Sequence, residues 1–412
     1  MKCIVDDDVV LSQPLEGPLS AHVAGFATWA REQGYAWASR YRQVLLAACF
    51  SRWLGQRAVS VRRVSAKHQA RYLRMRARRV QVRREDATAL GQFLEFLRHE
   101  GVIPAAEKTP RRLTPVERET QTFEAHLRND RVLAEPTIAY YVPFVRGFLM
   151  DRFGKGRVTL SRLGAGDVVR FVQRHAARLH VKRAKQLTTA LRSFLRYARY
   201  RGDIALDLAA AVPTVANWSM TSIPRAISAD AVRQLLASVS RRTAVGRRDY
   251  AILLLLARLG LRASEVVRLG LDDVDWKAGQ VSVRGKGGHR TALPLPADVG
   301  EAIAAYLRHG RPQTTCRQVF LRARAPIRGF LGPSAIASVV RQALGRAGVS
   351  APTKGAHQFR HALATQLLRH GASLTEIGEV LRHRSPETTK IYTKVDVETL
   401  RTLALPWPGG VQ

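Results

Sequence analysis

Cysteine, acidic side chains and long apolar runs are all scarce in this chain of 412 residues. Cys3, Cys49 and Cys316 are far apart and form neither a CxxC pair nor a Cys/His metal spacing. That excludes a disulfide scaffold and fits a reducing compartment. The acidic deficit is larger: 32 Asp and Glu stand against 67 Lys and Arg, a formal net charge of +35. Such a field draws in polyanions and speeds their capture, so a nucleic acid is the expected partner. A GC-rich genome would inflate arginine but would not remove the acids. The longest strongly apolar run, Ala251–Ala257, is far too short to cross a bilayer. The first residues, MKCIVDDDVV, lack the charged-then-apolar run of a signal peptide. No membrane partner and a cytoplasmic location are expected.

What is present is globular: 46% hydrophobic and 24% charged residues, over a length that suits two or three cores. Residues 1–18 read as a loose acidic arm. Residues 19–103 have helical periodicity, with Phe26, Trp29 and Ala30 on one face, and Tyr41, Leu45, Ala48 and Trp53 on another. Residues 104–118, rich in proline and without a period, read as a linker. The first pattern then recurs over 119–210. LGQFLEFLRHEGVI from Leu90 aligns with LRSFLRYARYRGDI from Leu191, and FATWAREQG from Phe26 matches FEAHLRNDR from Phe123. A duplicated all-α helical module is predicted. Both copies carry arginines, among them Arg71, Arg74, Arg76, Arg78 and Arg79 in the first, and Arg183 and Arg192 in the second. Residues 211–228 form a second linker. Residues 229–405 are predicted to be mainly α with a small antiparallel sheet: helices from Ser228 onward, then strands at Val274–Trp276, Gln280–Arg284 and Thr291–Leu295. Gly285-Lys286-Gly287-Gly288 is the hairpin turn between the last two strands. Residues 406–412 are a tail.

The chemistry gathers in Gly355–Val395. His357 and Arg360, three apart on a helix, can aim at one target, with His361 beside them. His383 follows, and Tyr392 comes nine residues later. Ser385 is an expected N-cap with Pro386 at the first helical position, starting a short helix that carries Tyr392. Upstream, GLRASE places Arg262 at a helix junction and Glu265 in the next first turn. Lys286, flanked by glycines, can approach a polyanion closely. Each residue alone is weak evidence: an arginine or a loop lysine is most often solvated.

As an ordered series these residues resemble the tyrosine recombinase (phage integrase) family. The resemblance covers the catalytic region and, more loosely, 119–210 as that family's SAM-like core-binding domain. It implies that Arg262 and Arg360 clamp a scissile phosphate, and that Lys286 is the hairpin lysine. His357 and His383 would be the active-site histidines and Tyr392 the nucleophile, with Glu265 and His361 supporting. Arg382, Arg183 and Arg192 are the expected nucleic-acid contacts. The implied activity is site-specific cleavage and rejoining of DNA through a 3′-phosphotyrosyl link, serving integration, excision or transposition of a mobile element. No metal, cofactor or ATP is expected, because guanidiniums supply the charge and the phosphotyrosine keeps the bond energy. The implied partner is double-stranded DNA bearing recombination sites, bound by a homotetramer, alone or with related recombinases. A non-catalytic architectural DNA binder and a type IB topoisomerase-like enzyme remain open alternatives. Three departures from the family pattern are evident: Arg382 where glycine is usual, Ala263 where a β-branched residue is common, and the extra N-terminal helical copy.

Overall fold

A computed structural model describes residues 3–6, 9–81, 83–105, 113–215, 226–285, 288–351, 353–383 and 385–395. They fall into two compact units, one drawn from Met1–Ala106 with Ser222–Gln412, the other from Glu107–Thr221. The predicted tail, parts of both linkers, Lys286 of the predicted turn and the segment after Val395 lie outside the described residues. No helix among the described residues is long and apolar enough to cross a membrane.

The first unit opens with a two-stranded antiparallel ribbon, β1 (Cys3–Asp6) and β2 (Val9–Leu11). This corrects the expected loose arm. Val5, Val9 and Leu11 are buried at alternating positions and join the core of the helices that follow, an alternation masked in sequence by the acidic residues between them. Those helices are α1 (Val23–Glu32), α2 (Trp37–Gly55), α3 (Ala66–Ala77) and α4 (Arg84–His99). The second unit has four more: α5 (Pro115–Asn129), α6 (Glu135–Phe153), α7 (Ala165–Ala176) and α8 (Val181–Tyr200). α5 begins inside the stretch read as linker. Thr114 caps it by accepting from the Glu117 backbone N–H, while the Glu117 carboxylate accepts from the Thr114 N–H, and Pro115 sits in the first turn. This T-x-x-E capping box was legible in the sequence and outweighs the prolines around it.

The two aligned segments have matching environments. Phe93 and Leu94 on α4 are as buried as Phe194 and Leu195 on α8. Gly101 and Gly202, which follow those helices, both have positive φ, +69° and +80°. Phe26 meets Phe93 at a ring separation of 4.9 Å in the first unit, and Phe123 meets Phe194 at 5.3 Å in the second. Equivalent aromatic pairs thus close equivalent helix contacts.

The rest of the first unit is built on α10 (Ala244–Arg258), which follows α9 (Ala229–Ala237). Ser228 caps α9 through its hydroxyl, and Thr243 does the same for α10. Every residue from Ala251 to Leu256 is buried, so α10 is apolar on all sides and must be surrounded. Helices α11 (Ala263–Arg268), α12 (Ala297–His309), α13 (Pro333–Ala347) and α14 (His357–Arg369) surround it. A short α15 (Leu374–Val380) follows. The predicted sheet is present as β3 (Val274–Asp275), β4 (Gln280–Arg284) and β5 (Arg290–Pro294), antiparallel in that order. Val281 and Val283 of β4 face the core while its alternate residues face away. The expected helix at Pro386 is instead two 3₁₀ turns, Pro386–Thr388 and Lys390–Val395, and the Ser385 side chain does not cap. Thr389 lies between them with its hydroxyl bound to His383, so a tertiary contact occupies the point where one helix would have run on.

One glycine decides how these pieces meet. Gly260, just past α10, has φ of +55°, and a Cβ there would sit 2.8 Å from Leu381 Cδ2 and 3.1 Å from Leu363 Cδ2. Gly260→Ala is expected to cost at least about 1 kcal/mol from the left-handed backbone alone, with more from the close contacts. The check is a shift of the denaturant midpoint at unchanged slope.

Candidate active site

The turn at Gly260 exposes its carbonyl to α14. Arg360, only 3% exposed, donates from Nη1 to that carbonyl at 2.7 Å and from Nη2 to the carbonyl of Leu381. Two backbone dipoles therefore hold a buried guanidinium, and among the described residues no carboxylate lies within ion-pair distance of it. Burial, and then the nearby Arg262 and Arg382, push Arg360 down to about 10, which still leaves it charged at neutral pH. A buried cation without a counter-ion is costly unless something negative arrives to meet it.

Arg262 lies at the N-cap of α11. Its backbone N–H donates to Glu265 Oε2 at 2.8 Å and its Nη1 to Glu265 Oε1 at 2.7 Å. Its Nη2 donates to the carbonyl of Arg382 at 3.2 Å. Glu265 is 2% exposed, and its Oε2 also accepts from Arg382 Nη2 at 3.2 Å. One buried carboxylate thus orients two guanidiniums. Arg382 adopts φ of +55°, a conformation that costs a non-glycine residue roughly 1–2 kcal/mol. Its side chain turns inward onto Glu265 rather than out to solvent.

Tyr392 is 1% exposed, and its hydroxyl lies 2.9 Å from Nδ1 of His361 on α14. Its ring is nearly parallel to that of His383, with centroids 6.5 Å apart. His383 in turn is fixed by the Thr389 hydroxyl at 2.7 Å. Burial pushes the Tyr392 phenol up to about 12, against a smaller downward pull from Arg360. Burial and then Arg360 push His383 down to about 4, and burial followed by His357 and Arg360 also lowers His361. At neutral pH the phenol is protonated and these two imidazoles are neutral. His361 with Nδ1 unprotonated can therefore accept the phenolic proton directly.

The structure brings together Arg262, Glu265, Arg360, Arg382, His361, His383 and Tyr392. His357 is the first residue of α14 and is exposed, with its ring 6.2 Å from that of His361. It is His361, read from sequence as merely supporting, whose ring meets the tyrosine hydroxyl. Only the pairing of α14 with the segment 31 residues later puts it there. Lys286 is outside the described residues; the last rung of the β4–β5 ladder sets Arg284 opposite Arg290. The Arg290 guanidinium lies 3.9 Å from Asp273 Oδ1. The other expected nucleic-acid contacts differ in kind. Arg192 donates to the carbonyls of Val212 at 2.8 Å and Pro213 at 3.2 Å, so its guanidinium holds the chain leaving α8. Arg183 is exposed and lies over the rings of Tyr140 and Phe144. Among the described residues no three His, Cys, Asp or Glu side chains are grouped to hold a metal ion.

The pattern that defines the phage integrase family matches residues 225–399, which span this whole cluster. A Sinorhizobium fredii chain named as an integrase/recombinase, y4rA, is 55% identical over 412 residues, all of both chains. The tyrosine recombinase XerD of Mycobacterium tuberculosis is 33% identical over 309 residues, 70% of this chain and 96% of its own. The chain belongs to the phage integrase family. It is a tyrosine recombinase, of the class of enzymes that cleave and rejoin DNA strands. Solved recombinases share the fold. XerH in its post-cleavage complex with palindromic difH aligns at a TM-score of 0.56 and 18% identity, covering 76% of this chain and 93% of that one. A lambda integrase (75–356) dimer on a COC′ core site aligns at 0.52 and 15% identity, covering 67% and 94%.

In this recombinase the histidine shifts fix a sign for stability against pH. Below about 6.5 the unfolded chain takes up protons that the folded His361 and His383 resist, so stability falls from there down to about 4. At the alkaline end the folded Tyr392 keeps its proton longer than the unfolded chain, so stability falls between pH 10 and about 12. His383→Asn is expected to flatten the acid limb of Tm against pH.

Proposed function

We propose that this recombinase binds duplex DNA and cuts one strand at a time by attack of Tyr392 Oη on a backbone phosphorus. The P–O5′ bond breaks, leaving a 3′-phosphotyrosyl link and a free 5′-hydroxyl, and the reverse attack by another 5′-hydroxyl rejoins the strands. The observation that carries this reading is the convergence of Arg262, Arg360 and the Tyr392–His361 pair in one cluster. A phosphodiester repels nucleophiles because its oxygens are negative. Two permanently charged forks offset the charge that builds in the pentacoordinate transition state. His361 takes the phenolic proton as the bond to phosphorus forms, His383 packs beside the ring, and Lys286 protonates the leaving 5′-oxygen. The exposed His357 lies at the rim, where a phosphate oxygen can reach it. Tyr392 is buried at rest, so engaging DNA requires its 3₁₀ segment to shift.

The DNA reading also draws on charge. Between Glu32 and Glu85 the sequence has no acidic residue, and Arg62, Arg63, Lys67, Arg71, Arg74 and Arg78 are exposed there. We take this N-terminal module to track phosphates alongside the core-binding helices, contributing position rather than sequence reading. The domain division given above and assembly as a tetramer on two paired duplexes belong to the same proposal.

Two experiments test it. DNA trapped covalently on the protein in cells is sequenced to recover the site, and a nicked suicide duplex built from that sequence is then offered in vitro. Wild type is expected to form a denaturation-resistant adduct and Tyr392→Phe none; an adduct surviving in Tyr392→Phe refutes the assignment. Arg262→Ala and Arg360→Ala are each expected to slow adduct formation by roughly 10²-fold or more, the usual loss for one transition-state charge contact.

A further inference from the structure

Arg382 occupies a position whose backbone favours glycine, at the end of a short helix on the way to the nucleophile segment. An arginine there could simply point to solvent. Instead its side chain is only 11% exposed and pairs with Glu265, which has 1% of its own side chain exposed. Its Nε is buried with no hydrogen-bond partner. Its carbonyl meanwhile accepts from Arg262 Nη2 at 3.2 Å. Arg382 therefore touches both members of the Arg262–Glu265 pair, one through its backbone and the other through its side chain.

The electrostatic consequence follows from counting formal charges. Glu265 orients Arg262 by accepting its backbone N–H and its Nη1, but a lone carboxylate at 2.7 Å also cancels Arg262's charge. With Arg262, Arg360 and Glu265 alone, one unopposed positive charge remains. With Arg382 there are two. A phosphodiester carries one negative charge, and its pentacoordinate transition state carries two once the Tyr392 proton has passed to His361. We propose that Arg382 is a positioning residue that neutralises Glu265 on its Oε2 side, so that Glu265 can hold Arg262 in place without consuming the charge Arg262 presents to the phosphate. Burial lowers both the Arg360 and the Arg382 guanidinium, with Arg262 and Arg382 adding to the effect on Arg360, and with Glu265 opposing and Arg262 adding to the effect on Arg382. Burying an extra cation on a strained backbone is costly in the free protein, and the cost is recovered as negative charge builds on the phosphate in the transition state.

This inference rests on the recombinase reading above, and the test keeps the two apart. Full-length wild type, Arg382→Gly, Arg382→Lys, Glu265→Gln and the Arg382→Gly/Glu265→Gln double variant are compared on the nicked duplex built from the recovered site. Single-turnover adduct formation is measured across protein concentration, alongside Tm. If wild type forms no adduct, the recombinase reading itself fails. Arg382→Gly is expected to have a Tm at least as high as wild type, because glycine suits the backbone and a buried cation is gone. Its maximal rate is expected to fall roughly 10- to 100-fold, the range for removing a group that orients a reacting side chain. Its half-saturation for DNA should be unchanged. Glu265→Gln in the Arg382→Gly background is expected to recover part of the rate, since the carboxylate no longer opposes Arg262. Arg382→Lys, which keeps the charge, should stay near wild type. A wild-type rate in Arg382→Gly overturns the proposal. So does a rate loss that neither lysine nor the second substitution relieves, or one that appears wholly as weaker DNA binding.

Discussion

Arg360 keeps its positive charge at a depth where only 3% of the residue meets solvent, held by the carbonyls of Gly260 and Leu381. Much of the candidate site is arranged around that fact. One carbonyl comes from the end of α10, the apolar helix at the centre of the fold, and the other from the turn after α15. A single side chain thus fastens the helix core to the segment that carries His383 and Tyr392. Gly260 must be glycine for the first carbonyl to be presented, because its backbone is left-handed and Leu381 and Leu363 crowd the place of a side chain. The buried Arg360 cation is also the pin that holds the segment carrying His383 and Tyr392 against its helices.

The second organising group is Glu265. A buried carboxylate usually marks either a perturbed acid or an ion pair. Here its two oxygens serve a backbone N–H and two guanidiniums, so it acts as a template that fixes cations. Tyr392 and its histidines show the complementary economy. The same desolvation that keeps the phenol protonated keeps the adjacent imidazoles neutral. Acid and base are therefore both in the form needed for a proton to pass between them.

The two helical modules close on like aromatic contacts. Phe26 with Phe93, and Phe123 with Phe194, close equivalent contacts in separate cores, and the glycines that follow α4 and α8 share a positive φ. Aromatic burial sets the scaffold in each copy, which leaves the surface free to vary in charge. In the second module arginines also do structural work: Arg192 binds carbonyls, and Arg183 lies over aromatic faces.

The sequence by itself determined what is local or ordered along the chain. The helix starts at Ser228, the hairpin between β4 and β5, the recurrence of the Phe-Leu pattern and the order Arg262, Lys286, His357, Arg360, His383, Tyr392 could all be read from neighbouring residues. The cap at Thr114 was equally local and was obscured only by nearby prolines. Tertiary structure decided the rest, because those contacts join residues far apart in sequence. The ribbon at Val5 and Val9 exists because helices cover one side of it. The 3₁₀ turns around Thr389 exist because its hydroxyl serves His383. His361 meets Tyr392 across 31 residues, and Arg382 turns inward onto Glu265 across 117. No periodicity encodes such pairs: they depend on which side chains desolvation leaves facing one another once the helices have packed.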